Sequence, residues 1–434
     1  MLAESSALQC CVELAIPATL PPMSAVSPMH ISSRIASMSE SATLAVGAKV
    51  AASRAKGRDV IAFAMGEPDF DTPANIKAAA IAALERGMTK YAPTAGEKSA
   101  REAIAEKFSR ENGIATKFDQ VTITAGAKHG IYMALQAIIE PGRGDEVLLP
   151  TPAWVSYKPL IELAGAKCVE IPGAVGNGFR ITRPQLQSAV TAKTVGIVWN
   201  SPSNPCGIAY PAPEVREICE ELARHERITI LSDEIYEKLI YPEIAPGLTH
   251  FSPGSLPALA HRTITINGLS KSYAMTGWRV GYLTAPSAMA KELIKLQGQM
   301  TNSIPSFFYP AIVEALTASA AGVEVMRARF AVRAKLIHEA LTSVAGVRSV
   351  APNAAFYAFP DVSSHFHKTS PSGARITSAQ SFADALLEEV HVAVVPGEDF
   401  GGCAHGNIRL SFACSEESIT NGVARIRDWV AQLR

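Results

Sequence analysis

At 434 residues the chain is long enough for one large domain and a smaller one, and its 48% apolar and 18% charged residues fit an ordinary soluble globular enzyme. Lysine plus arginine and aspartate plus glutamate both number 40, so the formal net charge is +0 and no basic field exists to attract nucleic acid. Seven scattered cysteines without a CxxC pair indicate neither a zinc site nor a disulfide framework, and no run reaches the roughly 18 uninterrupted apolar residues of a membrane-spanning helix.

Residues 1–30 are rich in alanine, serine and proline and carry Glu4 and Glu13 but no lysine or arginine. A secretory signal needs a positive segment before its apolar core, so this stretch reads as a disordered extension or an upstream start, with Met23 or Met29 as other starts. The expected compartment is a reducing cytoplasm. From Glu97 to Asn112, Ala100, Ala103, Ile104 and Phe108 recur at helical spacing, and Asn112-Gly113 ends the run. Residues 121–124 read as a strand and 128–139 as a helix closed by Pro141-Gly142. Strands follow at 145–149 and 194–199, a helix face at Val215, Ile218, Cys219 and Leu222, and strands at 228–231 and 263–267. Strands separated by helices predict βαβ units and a parallel sheet. After about residue 318 a long Ala/Arg-rich helix, short strands and a final helix near 416–433 mark a second domain.

Unusual residues cluster just beyond the carboxyl ends of these strands, where open α/β sheets bind ligands. Lys271, in Ser270-Lys271-Ser272-Tyr273, follows the strand at 263–267 and has Arg279 eight positions on. A lysine so placed suits a covalent aldehyde cofactor such as pyridoxal phosphate, with the arginine on its phosphate, or is a solvated surface lysine. Gly126-Ala127-Lys128 opens a helix and offers free N–H groups to a phosphate, or is an ordinary strand-to-helix turn. Asp233 suits a protonated pyridine nitrogen or a helix N-cap. Tyr236 fits a hydrogen bond to the cofactor's phenolic oxygen or a core position; Trp154 fits a ring stack or core packing; Asn204 before Pro205 fits a turn. G-x-G-x-x-G, Walker A, H-E-x-x-H and G-x-S-x-G motifs are absent, which argues against nicotinamide, nucleoside-triphosphate, zinc-hydrolase and serine-hydrolase chemistry.

Nine blocks spanning residues 31–434 in order carry a family resemblance. They include Ser41-Ala42-Thr43-Leu44, Gly66-to-Pro73, Lys90-Tyr91-Ala92-Pro93, Trp154-Val155-Ser156-Tyr157, Ser201-to-Gly207, Ser232-to-Tyr236, Ser270-to-Gly281 and Asn407-to-Ser411. The chain resembles the class I aminotransferases of pyridoxal-phosphate fold type I, most closely the aspartate/prephenate aminotransferase branch. That resemblance implies an α/β fold with a mostly parallel central sheet in a large domain (67–317) plus a smaller α/β domain (318–434), joined by an arm and part of the small domain at 31–66.

It also implies roles. Lys271 is the expected Schiff-base lysine, Asp233 the pyridine-nitrogen partner, Asn204 and Tyr236 the phenolic-oxygen contacts and Trp154 the ring stack. Gly126, Ala127, Lys128, Ser270 and Arg279 surround the phosphate, Tyr91 reaches the phosphate of a neighbouring subunit in a homodimer, and Arg409 with Gly66 takes the substrate α-carboxylate. Thr43 and Lys128 stand where the branch engages a distal carboxylate, which points to aspartate and glutamate with their oxo acids, and to prephenate. Lys128 also fits a surface lysine at a helix start. Cys206, Ala153, His129 and Ala354 depart from the family's usual threonine, aromatic, glutamine and glycine and leave the shape of the pocket open. Aromatic, alanine or branched substrates, a lyase on the same fold, and a non-catalytic ligand-sensing domain are the competing expectations.

Overall fold

The computed structural model describes residues 29–434 except 37, 39 and 41. Nearly all of the alanine-rich extension, Cys10 and Cys11, and Ser41 therefore lie outside the described residues. Residues 1–38 form one unit, in which Ser33–Ala36 is a single helical turn with no buried residue. Residues 39–434 form the other and hold every further element.

Seven strands make the central sheet: β1 Val121–Ala125, β2 Glu146–Thr151, β3 Lys167–Pro172, β4 Thr194–Asn200, β5 Thr229–Asp233, β6 Thr263–Gly268 and β7 Val280–Thr284. Their order is β1-β7-β6-β5-β4-β2-β3, and β7 alone runs antiparallel, to both β1 and β6. The sheet is thus mostly parallel, as expected. Helices cover it, and β6 is buried along its whole length, as strands with both faces covered are. The alternating Thr263-Ile264-Thr265-Ile266 run is therefore a central strand, with its threonines buried as well.

Strand and helix bounds fall close to the sequence reading. Lys98–Asn112 ends on Gly113, whose φ of +66° is the left-handed cap a glycine supplies at least cost. The helix expected at 128–139 is Ala127–Ile138, and the long helix after residue 318 is Ala320–Thr342. The last helix is Glu416–Val430. The sequence reading missed β3, β7 and the helices Ala42–Ala55, Ala74–Glu85, Tyr157–Leu163, Arg183–Ala189, Ser287–Gly298, Tyr309–Ala318 and Ala379–Val390.

Beyond the main sheet, Ile408–Ser411 pairs antiparallel with Val395–Pro396 and Tyr357–Ala358. This small sheet packs under Ala320–Thr342 and Glu416–Val430 through Phe330, Phe356, Phe412 and Ile419. No single helix among the described residues is long and apolar enough to cross a membrane. The five described cysteines are free.

Behind the end of β5 lies a buried charged network. Lys107 pairs with Glu237 and donates to Asn112 Oδ1 (2.7 Å). The Asn112 amide nitrogen lies 2.9 Å from Glu234, 2.7 Å from Glu237 and 3.0 Å from Ser252. Burial alone would raise the Glu237 carboxyl, but the Lys107 ammonium overcomes it and holds the group at about 2. Asn112→Ala strips partners from three buried charged groups. It is expected to lower stability by about 2 kcal/mol or more, read from urea unfolding followed by circular dichroism; a loss below about 0.5 kcal/mol would contradict this role.

Candidate active site

The turn carrying Lys271 begins at β6 and must return antiparallel as β7, so residues 269–279 leave and re-enter the sheet at one edge. Leu269 N donates to Val280 O (3.1 Å) and closes the loop. Ala274 (φ +50°) and Arg279 (φ +54°) hold left-handed backbone without being glycine, a strain that persists only where surrounding structure imposes it. Register does the rest. Val280 pairs with Ala125, which sets Arg279 beside Gly126 at the start of Ala127–Ile138. Gly126 has φ +83°, and a Cβ there would run into the Arg279 guanidinium. The outcome is an anion cradle of helix N-terminal amides, the Ser270 turn and one arginine.

Asp233 ends β5 opposite Asn200 on β4. Burial raises its carboxyl to about 6 against two bonds that lower it, one from Tyr157 Oη to Oδ2 (2.6 Å) and one from Ile235 N to Oδ1 (3.2 Å). The residual shift disfavours the ionised form by roughly 3 kcal/mol, a deficit that a cationic partner in the cavity removes. Asn200 donates to Asp233 O (3.0 Å) and accepts from Asn204 N (3.2 Å), so one side chain sets both expected site residues. Lys271 is half-buried, and its Nζ donates to Gly66 O (2.6 Å). Burial lowers its amine to about 8; Arg279 and Arg409 push the same way, against Glu67 and Asp233.

Arg409, from Ile408–Ser411, is 1% exposed. It donates to Asn204 Oδ1 (3.1 Å), Ala64 O (2.8 Å) and Thr43 Oγ1 (3.4 Å), between the rings of Tyr357 (4.9 Å) and Phe400 (5.2 Å). Its Nε has no partner, and it pairs with no carboxylate among the described residues. A buried arginine in that condition is set up for an acidic ligand. Lys128 is pushed down by burial and by Arg279, and its ammonium lies 4.7 Å over the Trp154 ring.

Thr43, Gly66, Ala127, Lys128, Trp154, Asn204, Asp233, Tyr236, Ser270, Lys271, Arg279 and Arg409 all line one cavity of about 340 Å³, with Gly126 behind Arg279. Tyr91 does not join them; it is 92% exposed. Cys206, Ala153, His129 and Ala354, which left the pocket's shape open, are absent from the lining. The structure adds Tyr157, Asn200 and Tyr357 to the wall. Tyr157 stands inside one of the family's blocks and Tyr357 in none, and an aromatic residue near a strand carries no mark separating a wall from a core.

Comparison with known proteins agrees with this geometry. Residues 58–426 match the family model "Aminotransferase class I and II". The chain is 41% identical over 404 residues to the aspartate/prephenate aminotransferase of Cereibacter sphaeroides, covering 93% of this chain and 99% of that one. It is 40% identical to the aspartate aminotransferase of Rhizobium meliloti (91% and 94% covered). Among solved structures it is similar to the R. meliloti aspartate aminotransferase, with TM-score 0.89, 38% identity and 94% and 100% coverage. It is also similar to the Thermus thermophilus aspartate aminotransferase with maleate (TM-score 0.84, 39% identity, 92% and 99% coverage).

The chain belongs to the class I and II aminotransferases. It is a pyridoxal-phosphate-dependent enzyme that transfers amino groups. The donor set fits that cofactor: an amine lowered by burial, a buried carboxylate short of a cation, an arginine at a helix N-terminus, and a cavity of small-ligand size.

A lowered amine pKa means the neutral, nucleophilic form prevails above about 8, where an ordinary lysine needs a pH above about 10.4. In cofactor-free protein the rate at which an amine-directed reagent modifies Lys271, followed by peptide mass spectrometry, should rise with a midpoint near 8. A midpoint above about 10 would contradict the burial argument.

Proposed function

We propose that the enzyme moves an amino group between aspartate or glutamate and a 2-oxo acid by a ping-pong route, with oxaloacetate, 2-oxoglutarate and prephenate among its oxo acids. The observation that carries this reading is the pair of cations on one cavity, Arg409 and Lys128, neither with a carboxylate of its own. One carboxylate of a dicarboxylic substrate meets the planar Arg409 fork, and the other meets Lys128. Thr43 sits beside Arg409 with its hydroxyl on the cavity and completes the polar wall.

Pyridoxal phosphate, when bound, supplies an aldehyde that condenses with amines and an electron-poor ring that stabilises negative charge on the substrate Cα. Lys271 would hold that group through its amine, and the same amine, when free, would take the proton from the substrate Cα. Its lowered pKa keeps a usable fraction neutral near pH 7.5. Asp233 supports a protonated ring nitrogen, and Tyr157 and Asn200 keep it aimed. Asn204 and Tyr236 would hold the ring oxygen, Trp154 would stack on the ring, and Gly126, Ala127, Ser270 and Arg279 would take the phosphate. Gly66 brings backbone to the α-carboxylate.

The exposed Tyr91 supports a homodimer with shared sites, in which it serves the partner's phosphate, and exposed Leu44, Ile81 and Met300 supply apolar surface for the contact. We keep residues 67–317 as the cofactor-binding domain, 318–434 as the small domain and the cytoplasm as the compartment.

Lys271→Ala should abolish turnover and change the absorbance of bound cofactor; transamination near the wild-type rate would refute the assignment. Lys128→Met should raise KM for aspartate tenfold or more, the order of one lost charged hydrogen bond, and barely alter KM for alanine. Steady-state kinetics with both donors against 2-oxoglutarate decide it, and equal effects on the two would count against a distal-carboxylate role.

A further inference from the structure

Tyr357 has no role in the reading above, yet it touches both Arg409 and Tyr236. It is 1% exposed, lies on the strand paired with Ile408–Ser411, and carries the Arg409 guanidinium on its ring face at 4.9 Å. Its hydroxyl is 2.9 Å from that of Tyr236 and presses on Gly66, where an added Cβ would lie 2.9 Å from it. Gly66 O in turn accepts from Lys271 Nζ.

Each phenol has one proton to donate. Each hydroxyl is the other's one hydrogen-bond partner among the described residues, and either could donate; with the cofactor's ring oxygen beside Tyr236, only donation from Tyr357 gives both protons an acceptor. The neighbouring charge favours the same direction. Burial raises both phenols, but the Arg409 cation, 4.9 Å from the Tyr357 ring, is the main influence opposing burial on Tyr357 and a lesser one on Tyr236, which makes Tyr357 the better donor. Asp233 and Arg409 are the other charged groups acting on Tyr236, and they oppose each other.

We propose that Tyr357 is a positioning residue of the transamination: its hydroxyl donates to Tyr236 Oη, leaving the Tyr236 proton for the cofactor's ring oxygen, while its ring supports the Arg409 guanidinium. This rests on the aminotransferase site assigned above. Tyr357 thereby joins the carboxylate clamp to the group that faces the ring, two parts contributed by different sheets.

The test uses holoenzyme and the pH titration of bound-cofactor absorbance. Tyr357→Phe keeps the ring and deletes the donor, so Tyr236 becomes a poorer donor and the midpoint should move up by roughly half a pH unit. Tyr236→Phe should move it further the same way, and the double variant should match Tyr236→Phe alone, because Tyr357 acts through Tyr236. Tyr357→Leu, which removes the ring, should also raise KM for the amino acid beyond the Phe variant. An unmoved or lowered midpoint in Tyr357→Phe, or additive shifts in the double variant, overturns the proposal. A wild-type enzyme whose absorbance Lys271→Ala leaves unchanged would overturn the site assignment itself.

Discussion

The antiparallel return of β7 is the constraint on which the site depends. Pairing Val280 with Ala125 and Gly281 with Gly268 forces the lysine turn to start and finish at the carboxyl edge of the parallel strands. Arg279 then faces the first turn of Ala127–Ile138 and Lys271 lines the same cavity, and Gly126 and Gly281 are the positions at which close backbone approach makes that possible. A Cβ at Gly281 would meet the Gly126–Ala127 backbone, so the fit is set by main chain and tolerates no side chain there. Once that edge is built, β4 and β5 add Asn204 and Asp233 to it by ordinary parallel register.

Charge in this cavity is held out of balance. Arg409 is buried without a carboxylate, Asp233 is buried with no ion pair, and Lys271 is pushed toward neutrality. Elsewhere in the chain burial is compensated: Lys107 meets Glu237, and Arg333 meets Asp69 with two bonds of 2.6 and 2.9 Å. A fold that pairs its buried charges in one place and leaves them short in another has reserved the second place for a ligand that carries the missing charges. Tyr157, Asn200 and Tyr357 are the neutral supports that keep those groups aimed until the ligand arrives.

Much of the sheet was legible because strands buried on both faces leave short apolar runs bounded by polar residues, as at 194–199 between Lys193 and Asn200 and at 228–231 between Arg227 and Ser232. β3 was not, since Lys167-Cys168-Val169-Glu170 lies at the sheet's edge and is only partly buried, and its polar residues blur the pattern. β7 was missed for another reason: Val280-Gly281-Tyr282-Leu283-Thr284 adjoins the lysine turn, and its glycine reads as turn continuation. Among site residues, charged and special types drew attention; Tyr157 and Tyr357 did not, because an aromatic side chain looks the same in sequence whether it fills a core or orients a carboxylate. The four departures from the family's pattern stand outside the cavity lining, which local sequence had no means of showing.

By itself the sequence determined the chemistry, because a lysine, an aspartate, an arginine and a glycine-opened helix, each just past a strand, are the groups that an aldehyde cofactor with a phosphate and a ring nitrogen requires. The tertiary structure alone decided which of these groups are buried without counter-charges and which neutral residues hold them. Desolvation and hydrogen-bond direction depend on everything packed around a side chain, and elements as distant in sequence as Gly66, Tyr236, Tyr357 and Arg409 become neighbours only when two sheets close on one cavity.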